Sequence, residues 1–141
     1  MAFHVMGTGS ARPEHVVTND DLSRFLDTDD AWISSRTGIS TRRCCTTETC
    51  SDLAEAAARA ALDNAGVAAN ELDLIICSTI TADDLTPSCA AVVQERIGAS
   101  CPAFDLNAAC AGFVFALDVA HGYFARGVAK RVLVVSAEKM S

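Results

Sequence analysis

With 141 residues, 50% of them hydrophobic, the chain can bury one real core but is short for two. A net charge of −7 argues against general affinity for nucleic acid or anionic membrane, while leaving room for a local basic contact with an acidic partner. No run reaches the roughly 20 apolar residues of a membrane span, and the opening MAFHVMGTGS lacks the basic start and apolar core of a signal peptide, so a soluble cytoplasmic protein is expected.

Taken in order, Phe3 to Met6 reads as an opening strand, and Gly7-Thr8-Gly9-Ser10 as a turn, since no third glycine or helix follows to make a dinucleotide loop. Thr18, with Asp21 three residues on, predicts a capped short helix. Asp27 or Thr28 caps a second, Asp29 to Arg36, ended by Gly38. Trp32 and Arg36 lie one turn apart on that helix, a pairing that can hold a nucleotide by stacking and phosphate contact; the alternative is a half-buried tryptophan beside a surface arginine. Ser51 to Ala65 is an alanine-filled helix capped by Ser51, with Leu53 and Leu62 on its core side and Gly66 at its end. Leu72 to Ser78 is a buried strand. Thr86-Pro87 then supplies a cap and a first-turn proline for a helix running to Ile97 and Gly98. Pro102 to Leu106 and Arg131 to Ser136 are two more apolar strands, separated by a helix that ends near Gly127. Strands alternating with helices predict an α/β fold, a mainly parallel sheet with helices on both faces.

Seven cysteines without a secretion signal read as reduced thiols. Cys44, Cys45 and Cys50 are clustered, but no second ligand pair or neighbouring histidine accompanies them, so no metal site is expected. Cys110 stands apart. It falls between the strand ending at Leu106 and a helix opening at Cys110 or Ala111, where unpaired N–H groups and the helix dipole favour a thiolate and can bind a forming oxyanion. The alternative is a small buried hydrophobe. The helix itself, Ala111 to Leu117, is apolar on every face and requires cover on both sides, yet nothing after the strand at 131–136 closes the sheet. The 141 residues therefore read as one incomplete half-domain.

Four segments, GTGSARPEHVVTNDDL, DTDDAWISSRTGI, the TPS within Asp84 to Ser88, and PAFDLNAACAGF, resemble the N-terminal portion of β-ketoacyl-acyl carrier protein synthase III, a condensing enzyme of the thiolase-like superfamily. The second and fourth are the specific ones. The resemblance implies the N-terminal half of a duplicated fold, with the nucleophile on a buried helix between two sheets. It makes Cys110 the acyl-accepting nucleophile, Trp32 the residue stacked on the coenzyme A adenine, and Thr28 and Arg36 its nucleotide-contacting neighbours. Thr86 matches a position that in the homodimer reaches into the partner's acyl pocket, where a threonine leaves room for a longer or branched primer. The implied reaction is ping-pong: acyl transfer from acyl-CoA to Cys110, then decarboxylative condensation with malonyl-acyl carrier protein. No cofactor is implied, since acyl-CoA is a substrate. The family's second step uses a histidine and an asparagine that no residue here matches, so this chain alone is expected to be inactive. Two other readings stand beside it: a related acyl-CoA-dependent acyltransferase or quinolone or polyketide condensing enzyme, and a non-catalytic half that needs a partner subunit.

Overall fold

The computed structural model describes residues 3–141. In chain order it contains β1 (Val16–Thr18), α1 (Asn19–Ser23), α2 (Asp30–Thr37), β2 (Thr41–Arg43), α3 (Cys50–Ala65), β3 (Leu74–Ser78), α4 (Cys89–Ile97), β4 (Ala103–Leu106), α5 (Gly112–Ala125) and β5 (Val132–Ser136). These fall into two compact units. The larger takes the described residues up to Ala11 with Thr49–Met140; the smaller takes Arg12–Glu48.

The larger unit is built on a parallel sheet of order β4-β3-β5. The chain leaves β3 toward one edge and returns past it to the other, so right-handed crossovers put α4 and α5 on opposite faces. Side-chain alternation along the strands divides the core accordingly. Ile75, Cys77, Leu133 and Val135 pack against α3 and α4, while Leu74 and Ile76 face Ala116 and Ala120 of α5. Every residue of β3 is buried, as a central strand covered on both faces requires.

Helix α3 packs through Cys50, Ala54, Ala58 and Leu62, an i, i+4 stripe of mostly small side chains. Leu53, expected on the core side, is only half-buried off that stripe. Its cap also differs from expectation. Thr49 and Asp52 form a capping box, which leaves Ser51 buried inside the first turn. Helix α4 is capped by Ser88, whose hydroxyl accepts from the Ala91 N–H at 3.2 Å, two residues beyond the expected Thr86. The Asp105 carboxylate takes the N–H groups of Cys89 and Ala90 at 2.8 and 2.7 Å, so the helix starts where that acceptor from β4 reaches it.

The expected opening strand is absent: residues 3–10 carry no ladder. Phe3 to Gly9 and the residues of β5 line a common cavity of 390 Å³. The GxG pair is not a turn either. A Cβ on Gly7 would come within 2.6 Å of the Ala65 backbone nitrogen, and one on Gly9 within 2.2 Å of that of Ala61, so these glycines let the segment lie directly on α3.

The smaller unit holds an antiparallel pair, β1 with β2, that the sequence did not announce. The Thr18–Asp21 capping box is present as expected. Asp29, rather than Asp27 or Thr28, caps α2, its carboxylate accepting from the Trp32 N–H at 2.6 Å, and Gly38 ends it at φ 70°.

Candidate functional site

The candidate residues divide between the two units: Cys110 and Thr86 in the larger, Thr28, Trp32 and Arg36 in the smaller. Cys110 lies just past the C-terminal end of β4, in a 3₁₀ turn of residues 109–111 that runs into α5. The strand order reverses here, and in open α/β sheets such a position at the carboxyl ends of the strands is where ligands bind. The turn is strained. Ala109 holds φ 47°, a conformation that costs a non-glycine residue on the order of 1 kcal/mol and that clusters at functional sites. Helix α5 begins two residues after Cys110, and its N-cap residue, Ala111, offers no side-chain cap.

All seven cysteines are free thiols, and Cys110 alone is exposed. The others differ in kind. Contact with Cys89 and burial hold the Cys50 thiol far above its ordinary range. The hydrogen bond with Cys50 lowers Cys89, but contact with Cys77 and burial prevail and push it up to about 12. Burial also raises Cys101. Reaction with a substrate requires access, so exposure singles out Cys110 as the candidate nucleophile.

Thr86 sits in the loop between β3 and α4, exposed, and joined to Pro87 by a cis peptide bond. Glu138 holds the start of this loop, accepting from the Ile80 N–H at 3.0 Å and the Thr81 hydroxyl at 2.5 Å. Asp83 ties its middle to α3 by accepting from the N–H groups of Cys50 and Ser51, both at 2.8 Å. Asp105 fixes its end. Sequence reasoning passed over these carboxylates, although Asp105 was visible as a charge inside the apolar run Ala103–Leu106.

In the smaller unit, Leu22, Leu26, Ile33 and the face of α2 bearing Trp32 surround an open hollow of 600 Å³ that Thr28 also lines. Trp32 is 57% exposed, unusual for so large an apolar ring, and the Arg36 guanidinium lies 5.6 Å from its centroid. The Thr28 hydroxyl oxygen is buried and, among the described residues, has no hydrogen-bond partner. An exposed indole with a cation beside it, next to an unsatisfied hydroxyl, suits a ligand that is flat, anionic and polar.

The family profile of 3-oxoacyl-[acyl-carrier-protein] synthase III matches residues 104–141, the stretch from β4 through Cys110 and α5. A β-ketoacyl-[acyl-carrier-protein] synthase III of Vesicomyosocius okutanii is 52% identical over 137 residues, 97% of this chain and 44% of the relative. The chain is similar to part of a β-ketoacyl synthase III. A crystal structure of the synthase III from Aquifex aeolicus superposes with a TM-score of 0.93 at 46% identity, over 96% of this chain and 44% of that one. The priming β-ketosynthase of the R1128 polyketide pathway superposes with a TM-score of 0.90 at 40% identity. The fold is thus the thiolase-like α/β fold of these synthases, and the chain spans under half the length of the relatives it matches.

Proposed function

We propose that this chain carries the acyl-accepting part of a β-ketoacyl-acyl carrier protein synthase III, initiating fatty-acid or polyketide synthesis. The observation that carries this reading is Cys110: the one exposed cysteine, at a strained strand-to-helix turn on the carboxyl edge of the sheet. The Cys110 thiolate attacks the carbonyl carbon of an acyl-CoA thioester. The oxyanion that forms is stabilised in part by the Cys110 N–H, the carbon–sulfur bond to coenzyme A breaks, and the departing thiolate takes up a proton. Trp32, Arg36 and Thr28 are assigned to the nucleotide end of coenzyme A, the indole stacking on the base, the guanidinium pairing with phosphate and the orphan hydroxyl donating to a polar atom. Malonyl-acyl carrier protein then loses carbon dioxide, its carbanion takes the acyl group, and Cys110 is released. The working protein is a cytoplasmic homodimer, with Thr86 lining the partner's acyl pocket.

Given a panel of straight and branched acyl-CoAs, the protein should gain one acyl group on the Cys110 peptide, read by mass. A Cys110→Ser variant should gain none, and acylation that persists there would contradict the assignment. The 141-residue chain by itself should release no carbon dioxide from malonyl-carrier protein, because none of its residues matches the histidine and asparagine of that step. A second reading, a related condensing enzyme or acyltransferase, draws on the likeness to the R1128 priming β-ketosynthase. Carbon dioxide release by the whole protein separates simple acyl transfer from condensation.

A further inference from the structure

We propose that Asn19 is a positioning residue for coenzyme A, fixing the helix that presents Trp32 and Arg36; this rests on the assignment of those two residues to the nucleotide. Asn19 is 1% exposed, the one buried polar side chain described in the smaller unit. Its amide is fully used. The Nδ2 group donates to the Asp30 carboxylate at 2.7 Å and the Ile39 carbonyl at 2.8 Å, with the Ser34 hydroxyl at 3.4 Å, while Oδ1 accepts from Arg42 at 2.5 Å. Its backbone N–H donates to the Ser40 carbonyl at 3.2 Å.

These partners come from three places: the first and second turns of α2, the segment leaving that helix, and β2. Helix α2 buries no residue of its own, so apolar packing does little to fix its rotation and polar anchoring must supply what packing does not. Asp30 and Ser34 are four residues apart and mark the face turned to Asn19. Trp32 and Arg36, also four apart, begin two residues later, about half a turn round the helix. One buried amide therefore sets which way the indole and guanidinium point.

An Asn19→Asp substitution keeps the size and the acceptor for Arg42 but sets a carboxylate against Asp30 and the Ile39 carbonyl. Two readouts test the proposal. Trp32 is the only tryptophan, so its emission on titration with coenzyme A reports binding directly. Acylation of Cys110 is then timed with acyl-CoA and with an acyl-pantetheine thioester, which lacks the nucleotide. The variant should bind coenzyme A about tenfold more weakly and acylate correspondingly more slowly from subsaturating acyl-CoA, with its rate from acyl-pantetheine unchanged. Adding Asp30→Asn restores a donor opposite the new carboxylate and should recover much of the affinity. A variant that slows equally with both donors has lost general structure, and that outcome overturns a positioning role. Wild-type emission that responds to coenzyme A, with an identical response from Asn19→Asp, overturns the role of Asn19 alone. Wild-type emission that ignores coenzyme A overturns the nucleotide assignment and the proposal with it.

Discussion

Gly112 has no room for a side chain. A Cβ there would lie 2.0 Å from the Ser78 hydroxyl oxygen and 3.2 Å from the Ser78 Cβ, at the point where α5 meets the end of β3. The hydroxyl can rotate away, but the Cβ contact still requires a shift of a few tenths of an ångström in a buried strand. A Gly112→Ala substitution should therefore destabilise the protein by about 1–2 kcal/mol, net of the helix propensity gained by alanine. Adding Ser78→Ala removes the nearer atom and should recover a large part of that cost. Urea unfolding of the two single variants and the double variant measures it, and purely additive costs would show that the two residues are not in conflict. The same contact bears on chemistry, because Gly112 is two residues from Cys110 and a displaced helix start moves the thiol; acylation should slow in step with stability.

The helix starts show how elements are fixed from a distance. Asp83 holds the first N–H groups of α3 from the loop before α4, and Asp105 does the same for α4 from β4. Burial alone would raise the Asp83 carboxyl, but hydrogen bonds from Ser51 and Cys50 outweigh it and hold it below the ordinary 3.8. A carboxyl lowered in the folded state adds stability that is complete above its unfolded value and disappears as pH falls through its folded value. Thermal unfolding midpoints should thus be flat down to about pH 5 and decline below about pH 4. An Asp83→Asn variant should be less stable at neutral pH by about 1 kcal/mol and decline less on acidification; curves that fall in parallel would remove Asp83 from the account. Local patterns made much of this fold legible. The Thr18 box, the glycine stops at 38, 66 and 98, and the strands at 74, 103 and 132 all follow from chemistry within a few residues. What could not be read depends on partners far along the chain: the start of α4 needs Asp105, and the short pair β1–β2 needs its own register. For the candidate site, the placement of Cys110 between a strand and a helix was legible, whereas the anchoring of the Thr86 loop and the buried amide of Asn19 required the three-dimensional structure.

At the scale of the whole molecule, α5 presents an unusual surface. Its inner face, Gly112, Ala116 and Ala120, is buried on the sheet, while Phe113, Val114 and Phe115 are 48%, 68% and 54% exposed. Three large apolar side chains left about half or more in water on one helix are the kind of exposure that marks an interaction surface in soluble proteins. Removing such area from water is worth roughly 25 cal/mol per Å², and a net charge of −7 opposes self-association only over the short range left by screening at physiological salt. The 141-residue chain should therefore bind a hydrophobic dye and self-associate at micromolar concentration. A paired Val114→Lys and Phe115→Glu variant breaks the patch while leaving the buried face of α5 untouched, and should lose most of the dye signal and sediment as a smaller species. A wild-type chain that sediments as a monomer, unfolds cooperatively and ignores the dye would show that this helix tolerates water as it stands, and that its apolar outer face is not what the thiolase-like fold covers.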